Sequence, residues 1–111
     1  MFEDDLPRLH HMLDAAREAL SFAKGQTRQS LEDNRMLVLS LLRSLEIIGE
    51  TASRVSPACQ TEHADIPWPQ IVNMRNRLIH AYFDVDLDRV WDTITNDLPP
   101  LIASLERMVG K

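Results

Sequence analysis

Basic residues, glycine and cysteine are all scarce in this chain of 111 residues. The 12 lysines and arginines are outnumbered by 17 aspartates and glutamates, which gives a formal net charge of −5 at pH 7. Because a surface that binds duplex nucleic acid is normally basic, this balance excludes broad duplex DNA binding. The single cysteine, Cys59, excludes an internal disulfide and a metal site built from several cysteines. We expect neither a metal nor a cofactor.

The sequence also lacks the patterns of a targeting segment and of a membrane span. Residues 1–5 carry three acids and no basic region, unlike a secretory signal. The longest apolar stretch, residues 36–42, is interrupted by Ser40 and is far shorter than the span of about 20 residues that a bilayer requires. We therefore expect a cytoplasmic protein that does not enter the membrane.

Scarce glycine and the absence of β-branched alternation favour an all-α fold. The length favours a single domain over residues 1–111, because compact domains typically have about 100–150 residues. We predict an up-down bundle of four to five helices in which prolines kink the last helix.

The first two helices are predicted from leucine and alanine spacing. The first runs from about Asp5 to Lys24 and ends at Gly25. The second runs from about residue 31 to residue 55, with Thr27 or Ser30 as its N-cap. Residues 57–66 are polar and are expected to form a loop.

The last two helices are predicted from their prolines and acidic residues. The third enters through Pro67 and Pro69 and runs to about Tyr82. The fourth starts at Asp86 as N-cap, and the pair Pro99 and Pro100 must kink it or restart it, because two interior hydrogen bonds are lost.

The predicted third helix carries an unusual polar cluster. On a helical wheel, Arg75, Asn76, His80 and Tyr82 share one broad arc of about half the circumference. The segment between Asp65 and Asp84 contains no acidic residue. A phosphate or carboxylate would find its best site here, since guanidinium binds such groups in a bidentate manner.

Simpler interpretations of the same residues stay open. An arginine on a helix face, Arg77 included, is commonly solvated or paired with an acid, and His80 could simply complement a helix dipole. Tyr82 could be a half-buried packing residue at a dimer seam. From the residues alone, the sequence predicts a helical domain with a candidate anion site.

The spacing of these residues matches a known motif. Arg75, four residues, His80, one residue and Tyr82 resemble the R-x4-H-x-Y motif of HEPN domains, specifically the HepT-like toxin family. The segments around it, which cover roughly residues 1–109, also resemble that family in the same order: Ile48-Gly49-Glu50-Thr51-Ala52, Ile66-Pro67-Trp68, Met74 to His80, Val85-Asp86-Leu87 with Val90-Trp91, and Asp97-Leu98-Pro99.

This resemblance implies a metal-independent endoribonuclease that acts as the toxin of a type II toxin–antitoxin system. It implies a homodimer with a composite active site and a cognate nucleotidyltransferase antitoxin of the MntA type that adenylylates Tyr82. His80 would act as the base on the RNA 2′-OH, and Arg75 would stabilise the phosphorane. Asn76 and Arg77 would support phosphate binding.

Two alternatives to the toxin remain. The chain could be a non-catalytic HEPN module that binds a nucleotide or scaffolds the partner nucleotidyltransferase. It could also be a dimerisation bundle whose arginines only pair across the seam. Glu46 and Glu50 could form a general acid/base pair, although spacing favours solvated side chains or ion pairs with Arg43 and Arg54.

Overall fold

The computed structural model describes residues 3–81 and 84–110, except for the side chains of His80 and Ala81. The first helix, α1, spans Leu6–Ala23, within one residue of its predicted bounds at each end. Its chain leaves the helix at Gly25, whose φ of +77° is the left-handed conformation that glycine adopts at little cost. The first helix and its stop signal are therefore confirmed.

The second predicted helix is interrupted. It consists of α2, Ser30–Asp33, and α3, Arg35–Ala52. Asn34 separates them with an extended backbone (φ −131°, ψ 92°), and its side chain accepts a hydrogen bond of 3.0 Å from the Leu37 N–H. The side chain thereby satisfies an amide that the first turn of α3 leaves without a partner. Leucine spacing runs across this break, so the apolar pattern alone predicted one helix.

Residues 57–62 are helical, so the prediction of a loop there is wrong. Helix α4 spans Pro57–Glu62 and starts at Ser56, whose hydroxyl accepts a hydrogen bond of 3.2 Å from the Cys59 N–H. The buried carboxylate of Asp5 accepts from the Ser56 N–H at 2.8 Å and from the Ser56 hydroxyl at 2.6 Å. These bonds tie the chain before α1 to the start of α4.

The predicted third helix ends earlier than expected and is not continuous. Its region contains α5 (Trp68–Val72), α6 (Met74–Leu78) and the antiparallel strands β1 (Ile79–Ala81) and β2 (Asp84–Val85). The Asp86 N–H donates to the Leu78 carbonyl at 2.8 Å, which closes this hairpin onto the end of α6. The prediction of one helix to Tyr82 is therefore wrong, and so is the shared helical arc derived from it beyond Leu78.

The last part of the chain restarts at its prolines. Helix α7 (Leu87–Asp92) leads through a π-helical turn (Thr93–Asp97) into α8 (Leu98–Val109). The Asp86 side chain caps α7 by accepting from the Arg89 N–H at 3.0 Å. Both the N-cap and the proline-induced irregularity are as predicted.

Helix α1 packs against α3 and α8, and this packing organises the core. Fully buried side chains from the three helices include Met12, Leu13, Leu41, Leu45 and Leu105. In the part of the chain that the structure describes, strands occur only between residues 79 and 85, so the all-α fold class is confirmed. Within the described residues, no helix is both long and apolar enough to cross a membrane.

Candidate functional site

Arg75 of α6 meets Glu46 of α3. The Arg75 Nε lies 3.1 Å from Glu46 Oε2, and Arg43 approaches the other carboxylate oxygen at 3.6 Å. The Arg75 side chain is 69% exposed, whereas that of Glu46 is only 27% exposed. Glu46 is therefore the better anchored partner, and it fixes an arginine whose guanidinium remains accessible to solvent.

Gly49 allows this arrangement because it brings α3 against α5 and α6. A Cβ atom at Gly49 would lie 2.9 Å from the Ile71 carbonyl oxygen, closer than real Cβ contacts come. The buried residues Ile71 and Met74 seat the two short helices on the core at this point. Glycine at position 49 thus sets the distance between Glu46 and Arg75.

A cavity of about 280 Å³ lies beside the Glu46–Arg75 pair. Asn76 lines it, next to Arg75; α3 contributes Glu46 and Glu50, and Ser53 lines it just after the end of α3. We call it the Arg75 cavity. It offers guanidinium and amide donors for an anion, but the Ser53 hydroxyl already donates to the Glu50 carbonyl at 2.6 Å, and the two carboxylates of the cavity oppose an anion.

The segment that the sequence led us to expect as a positive patch is therefore not positive in the folded protein, because acidic side chains of α3 lie beside it. Residues 66–83 contain no acid, yet Glu46 lies within 3.1 Å of Arg75. Glu50 lies 4.0 Å from Arg43, so the α3 carboxylates form a network with two arginines. Arg54, the other expected partner, forms no ion pair with a described residue. The sequence interpretation missed Glu46 as a member of the site, because its contact with α6 is long-range.

Arg77 follows Arg75 by two residues on α6, so the two residues face opposite sides of the helix. Arg77 is half-buried and lines a different cavity, together with Asp97 and Asn96 of the π-helical turn. The structure therefore brings Arg75 and Asn76 together and places Arg77 elsewhere. The side chain of His80 and the whole of Tyr82 lie outside the described residues, so their predicted roles stay predictions.

Among the described residues, the other chemically reactive groups do not assemble into a site. Cys59 is fully buried, and burial, with the nearby charges of Asp5 and Glu62, raises the pKa of its thiol above the usual 9.0. A neutral, buried thiol is a poor nucleophile. Within residues 3–81 and 84–110, no group of three or more histidines, cysteines and acids is placed to hold a metal ion.

Known proteins with a similar sequence are ribonucleases by name. Residues 12–108 match the family described as "Ribonuclease HepT-like". The "Probable ribonuclease HepT" of Thermococcus cleftensis is 34% identical over 100 residues, which cover 86% of this chain and 91% of that protein. The "Putative RNase TTE0752" of Caldanaerobacter subterraneus subsp. tengcongensis is 31% identical over 105 residues, 95% of this chain and 94% of that protein. No solved structure gives a significant match.

Proposed function

The chain belongs to the HepT-like ribonuclease family of HEPN proteins, and from this we propose that it is a metal-independent endoribonuclease acting as the toxin of a type II toxin–antitoxin system. The observation that carries the proposal is the exposed guanidinium of Arg75, anchored through Nε by Glu46 at 3.1 Å. An arginine held in this way presents its remaining N–H groups in a fixed orientation.

The proposed reaction is transesterification within the RNA strand. The imidazole of His80 takes the proton of a 2′-OH, the 2′-oxygen attacks the adjacent phosphorus, and the bond from phosphorus to the 5′-oxygen breaks. The products are a 2′,3′-cyclic phosphate and a 5′-OH. Arg75 stabilises the charge that develops on the non-bridging oxygens, because its planar fork matches them. Asn76, which lines the same cavity, supports phosphate binding, and Arg77 supports binding from the other face of α6.

The leaving 5′-oxygen also needs a proton, and one histidine cannot be acid and base at the same moment. A homodimer that places two His80 side chains around one phosphate supplies both, one as base and one as acid. We therefore propose a composite active site in a homodimer.

Control of the toxin is proposed to act through Tyr82, the single tyrosine of the chain. The phenol oxygen attacks the α-phosphorus of ATP on a cognate nucleotidyltransferase antitoxin of the MntA type, and pyrophosphate leaves. The added AMP brings negative charge next to the motif and repels RNA. The proposed location is the cytoplasm, where the RNA substrate is found.

Cleavage of a labelled RNA in the presence of EDTA tests the proposed activity. We expect wild type to cut, Arg75→Ala to lose about 10²–10³-fold in rate as for a lost oxyanion donor, and His80→Ala to lose about 10²–10⁴-fold. Arg54→Ala, an exposed arginine outside the Arg75 cavity, is the matched control and should keep the wild-type rate. Equal rates for wild type, Arg75→Ala and His80→Ala would overturn the catalytic assignment.

Mass spectrometry of the protein co-expressed with its neighbouring gene product tests the modification. A mass increase equal to one or more AMP units is expected on wild type and should be absent from Tyr82→Phe. An unmodified wild-type chain in the presence of an active transferase would contradict the proposal.

A second candidate is the non-catalytic HEPN module that binds a nucleotide or scaffolds the transferase. The two carboxylates of Glu46 and Glu50 in the Arg75 cavity favour the scaffold over the ribonuclease, because they oppose a polyanion. RNA that stays intact at protein excess, together with a stable complex with the transferase, would select this alternative.

A further inference from the structure

A cavity of about 340 Å³ lies on the other side of α6, and Arg77 is its only lining residue with a role in the proposed reaction. It lies between α5–α6 and the π-helical turn with the start of α8, and we call it the π-turn cavity. Its floor is aliphatic and comes from buried residues, namely Ile66, Ile71, Met74, Leu98 and Leu101. Its volume falls in the range of about 300–1,000 Å³ typical of small-molecule sites.

The wall of this cavity is built by an irregular helix. Pro99 and Pro100 have no N–H, so the Thr95 carbonyl can receive neither an α-type nor a π-type helical hydrogen bond. The Asn96 carbonyl loses its α-helical donor for the same reason. π-Helical turns occur frequently at functional sites. Here the turn places Asn96 and Asp97 at the cavity, so its rim is rich in hydrogen-bond acceptors.

Two opposite charges face the π-turn cavity without neutralising each other. Arg77, half-buried, and Asp97, exposed, both line it, and no ion pair joins these two described residues. The remaining charged lining residue, Asp65, lies 3.9 Å from Arg107 and is thereby compensated. A matching ligand therefore has a flat or apolar body, hydrogen-bond donors for Asp97 and an anionic group for Arg77.

We propose that the π-turn cavity binds a guanine base of the RNA substrate, with a neighbouring phosphate on Arg77. This inference rests on the proposed ribonuclease function and adds base specificity to it. A carboxylate only accepts hydrogen bonds, and guanine is the base that presents two adjacent donors, N1–H and the 2-amino group. Adenine and cytosine place a ring-nitrogen acceptor beside their amino group, and this acceptor would face the carboxylate oxygens of Asp97.

The position of the cavity suits an RNA strand that also occupies Arg75. Arg75 and Arg77 are two residues apart on α6, about 3 Å along the helix axis, and they face opposite sides. Single-stranded RNA is commonly bound with its bases turned out and its Watson–Crick edges hydrogen-bonded to protein. The aliphatic floor supplies the apolar contact that a purine ring needs.

Binding of GMP, AMP, CMP and UMP to the full chain, measured by calorimetry, tests the proposal. We expect GMP to bind at least about 5-fold more tightly than the other three, since a good bidentate base contact discriminates by that much or more. IMP lacks only the 2-amino group and should fall between GMP and AMP. Equal affinity for all four nucleotides would overturn the proposal.

Two variants assign the contacts. Asp97→Asn should remove the preference for GMP over IMP, and Asp14→Asn, an exposed aspartate on α1, is its matched control and should retain it. Arg77→Gln should reduce the affinity for GMP to that for guanosine, whereas Arg54→Gln should not. A preference for GMP that Asp97→Asn leaves unchanged would contradict the assignment to this cavity.

The proposed function and the base specificity can fail separately. Mononucleotide binding requires no cleavage, so a protein that binds GMP and never cuts RNA refutes the ribonuclease proposal alone. Conversely, a protein that cuts RNA equally well beside every base and binds all four nucleotides alike refutes the guanine pocket alone.

Discussion

Gly49→Ala is the substitution that tests most sharply how α3 holds the site. The added Cβ would lie 2.9 Å from the Ile71 carbonyl oxygen and 3.9 Å from the Met74 Cβ. The first of these neighbours is backbone, so it cannot rotate away as a flexible side chain would. Either α3 or the α5–α6 segment must move by a few tenths of an ångström.

Two opposing effects set the size of the change. Alanine is favoured over glycine inside a helix by about 1 kcal/mol. Overpacking of a well-packed contact costs about 1–3 kcal/mol. We therefore expect a net destabilisation of about 1 kcal/mol, which for a domain of this size corresponds to a fall in Tm of about 4 °C.

Thermal unfolding followed by circular dichroism measures the change in Tm. Ser40→Ala on the same helix, which removes an atom instead of adding one, is the control and should stay within about 0.5 kcal/mol of wild type. A Tm for Gly49→Ala higher than that of wild type would mean that helix propensity acts unopposed, and the close approach of α3 to α5 would be refuted.

Three further predictions concern single groups. The hydrogen bond from the Ser56 hydroxyl lowers the pKa of Asp5 below the usual 3.8, despite the opposing effect of burial. The stabilisation that ionised Asp5 gives the fold is present above the pKa of this carboxyl in the unfolded chain, about 3.9. It is lost as pH falls through the lower pKa of Asp5 in the folded protein. The unfolding free energy of wild type, from denaturant titrations, should therefore fall more steeply below about pH 4 than that of Asp5→Asn; equal slopes would contradict this. Cys59 should react with a thiol reagent only as fast as the chain unfolds, and rapid labelling of the native protein would refute its burial. Glu46→Gln should lower the KM for RNA by removing a repelling charge and lower kcat by releasing Arg75, with Glu18→Gln unchanged as control; unchanged kinetics would show that Glu46 does not position Arg75.

Local signals predicted much of the fold. Gly25 and Asp86 act within one turn of the helices they end or start, so their roles can be recognised from sequence. The break at Asn34 was missed because the apolar spacing continues across it and only a side-chain cap marks it. Helix α4 has a local start signal, Ser56 as N-cap and Pro57 in its first turn, which was overlooked in a short polar segment. Its contact with the Asp5 carboxylate is 51 residues away in sequence.

Of the predicted site residues, the structure brings together only Arg75 of the motif and its neighbour Asn76, which line one cavity. The surroundings of that cavity were not predicted. The helical wheel wrongly continued past Leu78, where the chain turns into a strand because the Asp86 N–H closes the hairpin. Glu46 could not be found from local spacing, since only the packing of α6 on α3 places it beside Arg75.

The central claim is that the chain cuts RNA through the 2′-OH without a metal. The most direct measurement is a single-turnover assay in EDTA, in which an RNA is compared with the same RNA carrying one 2′-deoxynucleotide at the mapped cleavage site. We expect the RNA to yield a 2′,3′-cyclic phosphate end and the substituted strand to stay intact at that site. Equal cleavage of both strands, or no cleavage of either at protein excess, would contradict the account.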